Sequence, residues 1–359
     1  MSNFTRRNLL KTAGAAATLP IIGRSAFAAD PLKVAFVYLG PIGDHGWTYA
    51  HEQGRQEAIK KFGDAIKTTI VENVAEGPDS ERVIRRLAEE GNQLIFTTSF
   101  GYMNPTLKVA KRFKKVKFEH ATGYQRSKNV STYNARFYEG RAVCGTIAGH
   151  MSKSGVAGYI ASFPIPEVVM GINAFTLAAR RVNPKFETKV LWVSTWYDPA
   201  KEADAAKALI DQGADVIAQH TDSPAALQAC EQRNLMAFGQ AWDMSTFAPT
   251  AHLTAIANKW GVYYIDRIQK MIGGDAMASG DTWWGFKEGM IEMTPFNDRI
   301  PADVQAAANA TRDGIVSGSA PVFAGPITDN KGKERIAAGA ALNDGDLHKM
   351  DWYVEGVQS

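Results

Sequence analysis

From residue 32 onward, short apolar runs alternate with amphipathic stretches. Residues 32–38 (LKVAFVY) are apolar and β-branched over one strand length, the pattern of a strand buried on both faces. The glycine-rich loop Gly40-Pro41-Ile42-Gly43-Asp44-His45-Gly46 follows, and a helix is predicted over 47–62. Further strands are predicted at 66–71, 93–98, 116–120 and 130–134, with helices at 79–90 and 105–113. Val83, Ile84 and Leu87 share one face of the helix at 79–90. Strand–helix alternation with short loops is the signature of a parallel sheet covered by helices.

The rhythm restarts after residue 135. Helices are predicted at 139–152, 168–183, 199–212 and 224–233, and strands at 157–162, 189–193, 216–219 and 236–239. A strand at 253–257 and a helix at 261–272 come next. Residues 282–289 read as a strand and turn, 301–317 as a helix, and the remainder as turns and short strands. The fold class is α/β, with two halves of similar topology. Ligands of open α/β sheets bind beyond the carboxyl ends of the strands, so two such ends facing each other make a cleft.

The first thirty residues break this pattern. Thr5-Arg6-Arg7-Asn8-Leu9-Leu10-Lys11 is a basic start with paired arginines, followed by a weakly apolar run over 12–23 and by Ala26-Phe27-Ala28. Basic, apolar and small-x-small segments in that order are the layout of an export signal of twin-arginine type, 1–28, cleaved near Ala28. With Gly14, Pro20 and Gly23 inside it, the run is too short and too weakly apolar to span a bilayer. No cysteine follows the cleavage site, so no lipid anchor is expected. The signal carries Arg6, Arg7, Lys11 and Arg24 and no acid, so its removal takes the formal charge from +3 to −1. That balance gives no reason to expect nucleic acid as a partner. Cys144 and Cys230 lie far apart in helix-like segments and read as two buried free thiols, although an exported protein could pair them.

Catalytic motifs are missing. His45, His51, His120, His150, His220, His252 and His348 form no HExxH and no Cys/His cluster, so no metal site is expected. There is no G-x-S-x-G elbow and no Walker loop, and glycines at 40, 43 and 46 do not make G-x-G-x-x-G. No cofactor is expected, and the chain does not read as an enzyme; a hydrolase built from scattered Asp and His stays open. The strand ends instead carry aromatics with a few charges: Trp47, Phe100 with Tyr102, Trp196 and Tyr197, Trp242 with Asp243, and Lys259 with Trp260. Flat aromatic walls with an acid and a lysine suit a planar, hydrogen-bonding heterocycle. They would also suit a quaternary ammonium.

These residues bring the chain to a known group. It resembles the basic membrane protein (BMP) family of ABC-transporter solute receptors, which includes purine-nucleoside receptors. The resemblance runs from Val34 to about Gly289. It is carried by Gly43-Asp44-His45-Gly46-Trp47, by Glu139-Gly140-Arg141-Ala142, by the run at 152–160 (SKSGVAGYI), by Trp196-Tyr197-Asp198-Pro199-Ala200-Lys201 and above all by 206–217 (AKALIDQGADVI). The resemblance implies a type I periplasmic-binding-protein fold, with two Rossmann-like lobes and a ligand cleft and hinge between them. The expected lobes are 30–135 with about 258–280, and 136–257 with about 281–359. It also implies a monomer in the periplasm that hands solute to an inner-membrane ABC permease.

Carried over by position, Trp47 stands where the family has the Phe of an Asp-Lys-Ser-Phe-Asn run that stacks on the purine, and Thr48 stands at the Asn. Trp196-Tyr197 lies where the second lobe supplies the opposite wall; which of the two stacks stays open. Gly239-Gln240-Ala241-Trp242-Asp243 lies where the family has Gly-Val-Asp-Ser-Asp. Ala241 thus replaces an acid associated with ribose, Asp243 keeps the second acid, and Lys259 matches a family lysine. The expected ligand-binding set is Trp47, Phe100, Trp196, Tyr197, Trp242, Asp243 and Lys259. Loss of the acid at Ala241, with bulk added at Trp47 and Trp242, favours a free purine base, adenine, over a nucleoside. The alternatives are a purine-nucleoside receptor of the same family, and a periplasmic hydrolase or a sensor partner on the same scaffold.

Overall fold

The computed structural model describes residues 30–359, and the expected export signal at 1–28 lies outside the described residues. The chain begins with β1 (Leu32–Val37), α1 (Gly46–Phe62), β2 (Ile66–Val71), α2 (Pro78–Glu89), β3 (Leu94–Thr97), α3 (Met103–Ala110), β4 (Lys117–Ala121) and β5 (Val130–Ala135). These strands are all parallel, in the order β2-β1-β3-β4-β5. Val34, Ala35, Phe36 and Val37 of β1 are fully buried, because successive side chains point to opposite faces and helices cover both.

A second layer repeats the plan with α4 (Phe137–Met151), β6 (Val156–Ala161), α5 (Pro166–Val182), β7 (Glu187–Trp192), α6 (Pro199–Asp211), β8 (Val216–Gln219), α7 (Ala225–Gln232), β9 (Met236–Ala241) and β10 (His252–Asn258). Its order, β7-β6-β8-β9-β10, is again parallel throughout. In both sheets the succession of strands reverses at one point, between β1 and β3 and between β6 and β8. Loops leaving the two strands at such a switch point diverge to opposite faces and open a crevice at the carboxyl ends.

The chain then returns to the first layer. α8 (Gly261–Ile272) packs on α1, and β11 (Asp281–Trp284) pairs in parallel with β5 at the sheet edge. β12 (Ile291–Met293) lies antiparallel to β10 in the second sheet. The strand and turn expected at 282–289 are found as β11 and the turn that follows it, and β12 is an additional strand in the other layer. The chain crosses between layers after β5, after β10 and after β11. Arg136 and Glu139 tie the first crossing to the third. Arg136 N and Nε donate to Trp284 O (2.8 Å) and Trp283 O (3.0 Å), and Glu139 Oε2 accepts from Phe286 N (2.9 Å). α9 (Ala302–Ser317) packs on α4, β13 (Ile327–Thr328) pairs with β14 (Glu334–Ile336), α10 (Asp344–Leu347) follows, and β15 (Val357–Gln358) extends the second sheet beside β7. Cys144 on α4 and Cys230 on α7 are both buried and unpaired. No helix among the described residues is long and apolar enough to cross a membrane.

Candidate functional site

The two switch points face each other. Leu39 and Trp47 follow β1, Ser99 and Phe100 follow β3, Ile165 and Glu167 follow β6, and His220, Thr221 and Asp222 follow β8. With Thr122 after β4, Trp196 after β7 and Gln240 in β9, they line a narrow cavity of about 40 Å³. It adjoins a wider vestibule of about 580 Å³, which shares Leu39, Trp47, Trp196 and Asp222 with it.

Trp47 is held in place by its protein neighbours. Its Nε1 donates to Thr98 O (2.6 Å), and its ring stands edge-on to His51 (4.6 Å between centroids) and Trp260 (5.3 Å). His51 in turn stacks flat on Trp260, at 4.6 Å and 10°. A row of rings continues from Trp47 through Phe137 and His220 to Trp196, with centroids 6.1 to 6.2 Å apart. Such rings present flat, apolar walls whose orientation is set by their neighbours.

Polar groups interrupt the walls. Glu167 Oε2 accepts from Asn134 Nδ2 (2.7 Å), and its Oε1 lies 3.6 Å from His220 Nε2. Burial lowers the His220 pKa, so the imidazole is neutral and that contact is a weak one. Asp222 reaches across from the second layer: its Oδ1 accepts from Trp47 N (3.1 Å) at the start of α1. His45, the residue before α1, gives no side-chain cap, so Asp222 fills that place and sits at the positive end of the helix. Even so, burial and then the nearby Glu202 push the Asp222 carboxyl up to about 8. That shift favours its neutral form, which donates as well as accepts. Gly46 permits the approach, since its φ is +76° and a Cβ there would lie 3.1 Å from Asp222 O.

Of the residues expected from the sequence, the structure brings Trp47, Phe100 and Trp196 together at the cavity. Tyr197 lines only the vestibule and is 52% exposed. Trp242, Asp243 and Lys259 are not among the residues lining either space. β9 ends at Ala241 in a left-handed conformation, φ +62°, and Trp242 N turns back to donate to Gln240 O (2.8 Å). The Trp242 indole thereby leaves the cavity and stands edge-on to Tyr49 of α1, at 5.5 Å. Asp243 accepts from Ser245 N (2.8 Å). Lys259 lies over Trp242 (5.0 Å) and 3.5 Å from both Glu57 and Glu292. Beyond Gln240 the end of β9 meets α1 instead of the crevice, and β10 packs against α1 as well. Ala241 is itself fully buried, so neither it nor Trp242 sets the size of the cavity.

The sequence reading missed Glu167, His220, Asp222 and Gln240. His220-Thr221-Asp222 directly follow a strand that was predicted, so their address was available; nothing local marked them as inward-facing. Among the described residues no group of three or more His, Cys, Asp or Glu is placed to hold a metal ion.

Known proteins agree with this architecture. A family profile described as ABC transporter substrate-binding protein PnrA-like (Bmp) matches residues 32–322. A purine-binding protein of Brucella abortus is 56% identical over 94% of this chain and 96% of its own length. A putative ABC transporter glucose-binding protein of Haloferax volcanii is 35% identical over 92% of this chain and 81% of its own. Among solved structures, an ABC transporter solute-binding protein from Aeropyrum pernix superposes with a TM-score of 0.69 at 17% identity, over 89% of this chain and 96% of its own. The two-sheet α/β architecture is the type I fold of periplasmic solute-binding proteins.

Proposed function

Since the chain belongs to the PnrA-like family of ABC transporter substrate-binding proteins, we propose that it is the periplasmic receptor of an importer and that its ligand is a purine base, adenine. The carrying observation is the cavity at the paired switch points, where Trp47, Phe100 and Trp196 surround a carboxylate, an amide and a carboxyl from Glu167, Gln240 and Asp222. Flat walls suit a planar heterocycle. A carboxylate beside an amide suits an edge that offers a donor next to an acceptor, as the amino group and ring nitrogens of adenine do. The purine-binding relative supports the same class of ligand.

Preference for a base over a nucleoside is part of this proposal, and Ala241 and Trp242, which lie outside the cavity, do not carry it. The two sheets with their helices act as lobes joined at the three crossings. A ligand touching both lobes favours the closed state by the contacts it makes only there. The receptor works as a monomer, presents its load to an inner-membrane permease and binds without turnover.

Calorimetric titration of ligand-free, refolded protein tests the reading. Adenine should bind with a micromolar or lower Kd, and adenosine at least about tenfold more weakly, a difference of about 1.4 kcal/mol. Adenosine binding as tightly as adenine would return the chain to the nucleoside receptors. Binding of glucose but not of adenine would replace the purine with a sugar. Adenosine should be recovered unchanged after incubation with the protein, as measured by chromatography.

A further inference from the structure

Arg141, on α4, is fully buried, with its guanidinium 5.7 Å from the ring centre of Tyr159. A guanidinium offers five N–H donors and no acceptor. Nη2 donates to Gln240 Oε1, whereas Nε and Nη1 find no acceptor in the protein. Leaving such a group under-satisfied away from water is unfavourable. The one partner it does hold is a residue lining the cavity.

The two ends of a glutamine amide are alike in shape and opposite in hydrogen bonding. Facing a group with donors only, the amide is stable with Oε1 inward; the reverse orientation sets two donors against each other. Gln240 Nε2 is therefore turned away from Arg141 toward the cavity, and no acceptor among the described residues takes it. Nearby, Asn134 Nδ2 already fixes Glu167 as an acceptor. A donor and an acceptor thus stand at set places around one cavity.

We infer that Arg141 is a positioning residue for ligand selectivity: it locks the Gln240 amide so that the cavity offers a fixed donor to a ring-nitrogen acceptor of the bound heterocycle. The inference rests on the purine reading above. A free glutamine would turn either end toward the ligand and discriminate little. A locked one rejects a ligand that leaves its donor unpaired, which is how buried hydrogen-bonding sites achieve strong selectivity.

The probes are adenine and its 1-, 3- and 7-deaza analogues, each of which replaces one ring-nitrogen acceptor by C–H. With wild-type protein at least one analogue should bind at least about tenfold more weakly than adenine. In Arg141→Met the amide is released, and that ratio should fall to about threefold or less. Arg141→Lys, again a donor-only side chain, should restore it. Gln240→Glu keeps a partner for Arg141 and removes the donor, so the same ratio should collapse there too; this variant decides the matter if Arg141→Met does not fold by thermal melting. A ratio retained in folded Arg141→Met or in Gln240→Glu overturns the inference while leaving the purine reading intact. Equal binding of all four probes by wild type also overturns it. Absence of adenine binding by wild type overturns the purine reading and this inference together.

Discussion

Trp47 shows how one side chain is made ready for a ligand: an indole hydrogen bond and two edge-on neighbours hold it in place. Trp47→Ala should weaken adenine binding by about 1–3 kcal/mol, the scale of base–aromatic stacking, while circular dichroism stays unchanged; calorimetry reads the loss. Asp222 carries a second expectation. With a carboxyl raised to about 8, the ligand-free folded protein holds a proton that the unfolded chain releases near its ordinary value of 3.8. Between those values the native state binds more protons, so unfolding free energy falls as pH rises. Asp222→Asn keeps an acceptor for Trp47 N and cannot ionise. Its melting temperature should therefore decline less than that of wild type from pH 5 to pH 8, by differential scanning calorimetry. At this scale the sequence was half legible. Aromatics at strand ends marked Trp47, Phe100 and Trp196. Trp242 and Lys259 share that address, yet the turn after Gln240 and the packing of α1 against β9 and β10 carry them elsewhere, and such packing is not a local property of the chain. Gln240 takes its orientation from Arg141, 99 residues earlier, which no spacing could reveal.

α4 and α5 make the most extensive helix contact among the described residues, and small residues make it possible. A Cβ at Gly145 would run into the carbonyl oxygen of Phe175 on α5, so the helices could not stay at their present distance. Gly145→Ala should destabilise the protein by about 1–3 kcal/mol, the usual penalty of overpacking, measured as a shift in urea midpoint at constant slope. Elements of this kind were legible, because long amphipathic helices and apolar strands announce their period; α5 was predicted at 168–183 and is found at Pro166–Val182. β12 was not. It is a three-residue edge strand containing Glu292, too short for a period to show, and it exists because β10 offers it an edge.

As a whole, the molecule repeats one strand order twice and places its site where the two copies meet. The repetition was visible as a restarted strand–helix rhythm, and the family resemblance assigned about 258–280 to the first lobe; the pairing of β11 with β5 was not visible, since it joins residues 149 apart. If the paired arginines are the address expected from the sequence, changing Arg6 and Arg7 together to Lys should leave the precursor in the cytoplasm; cell fractionation and immunoblotting report the outcome, and normal periplasmic yield would assign export to the general route.

The edge strand β11 is made long after β5, the strand it pairs with. On the ribosome the first half of the chain therefore emerges with one sheet edge unpaired, and it stays so until synthesis has passed Trp284. Bare strand edges invite pairing with other chains, and the closure of so long a loop slows folding. Neither half can finish as an independent body during translation. The first sheet is completed only when those later residues return, which makes its completion a natural checkpoint in the maturation of the chain.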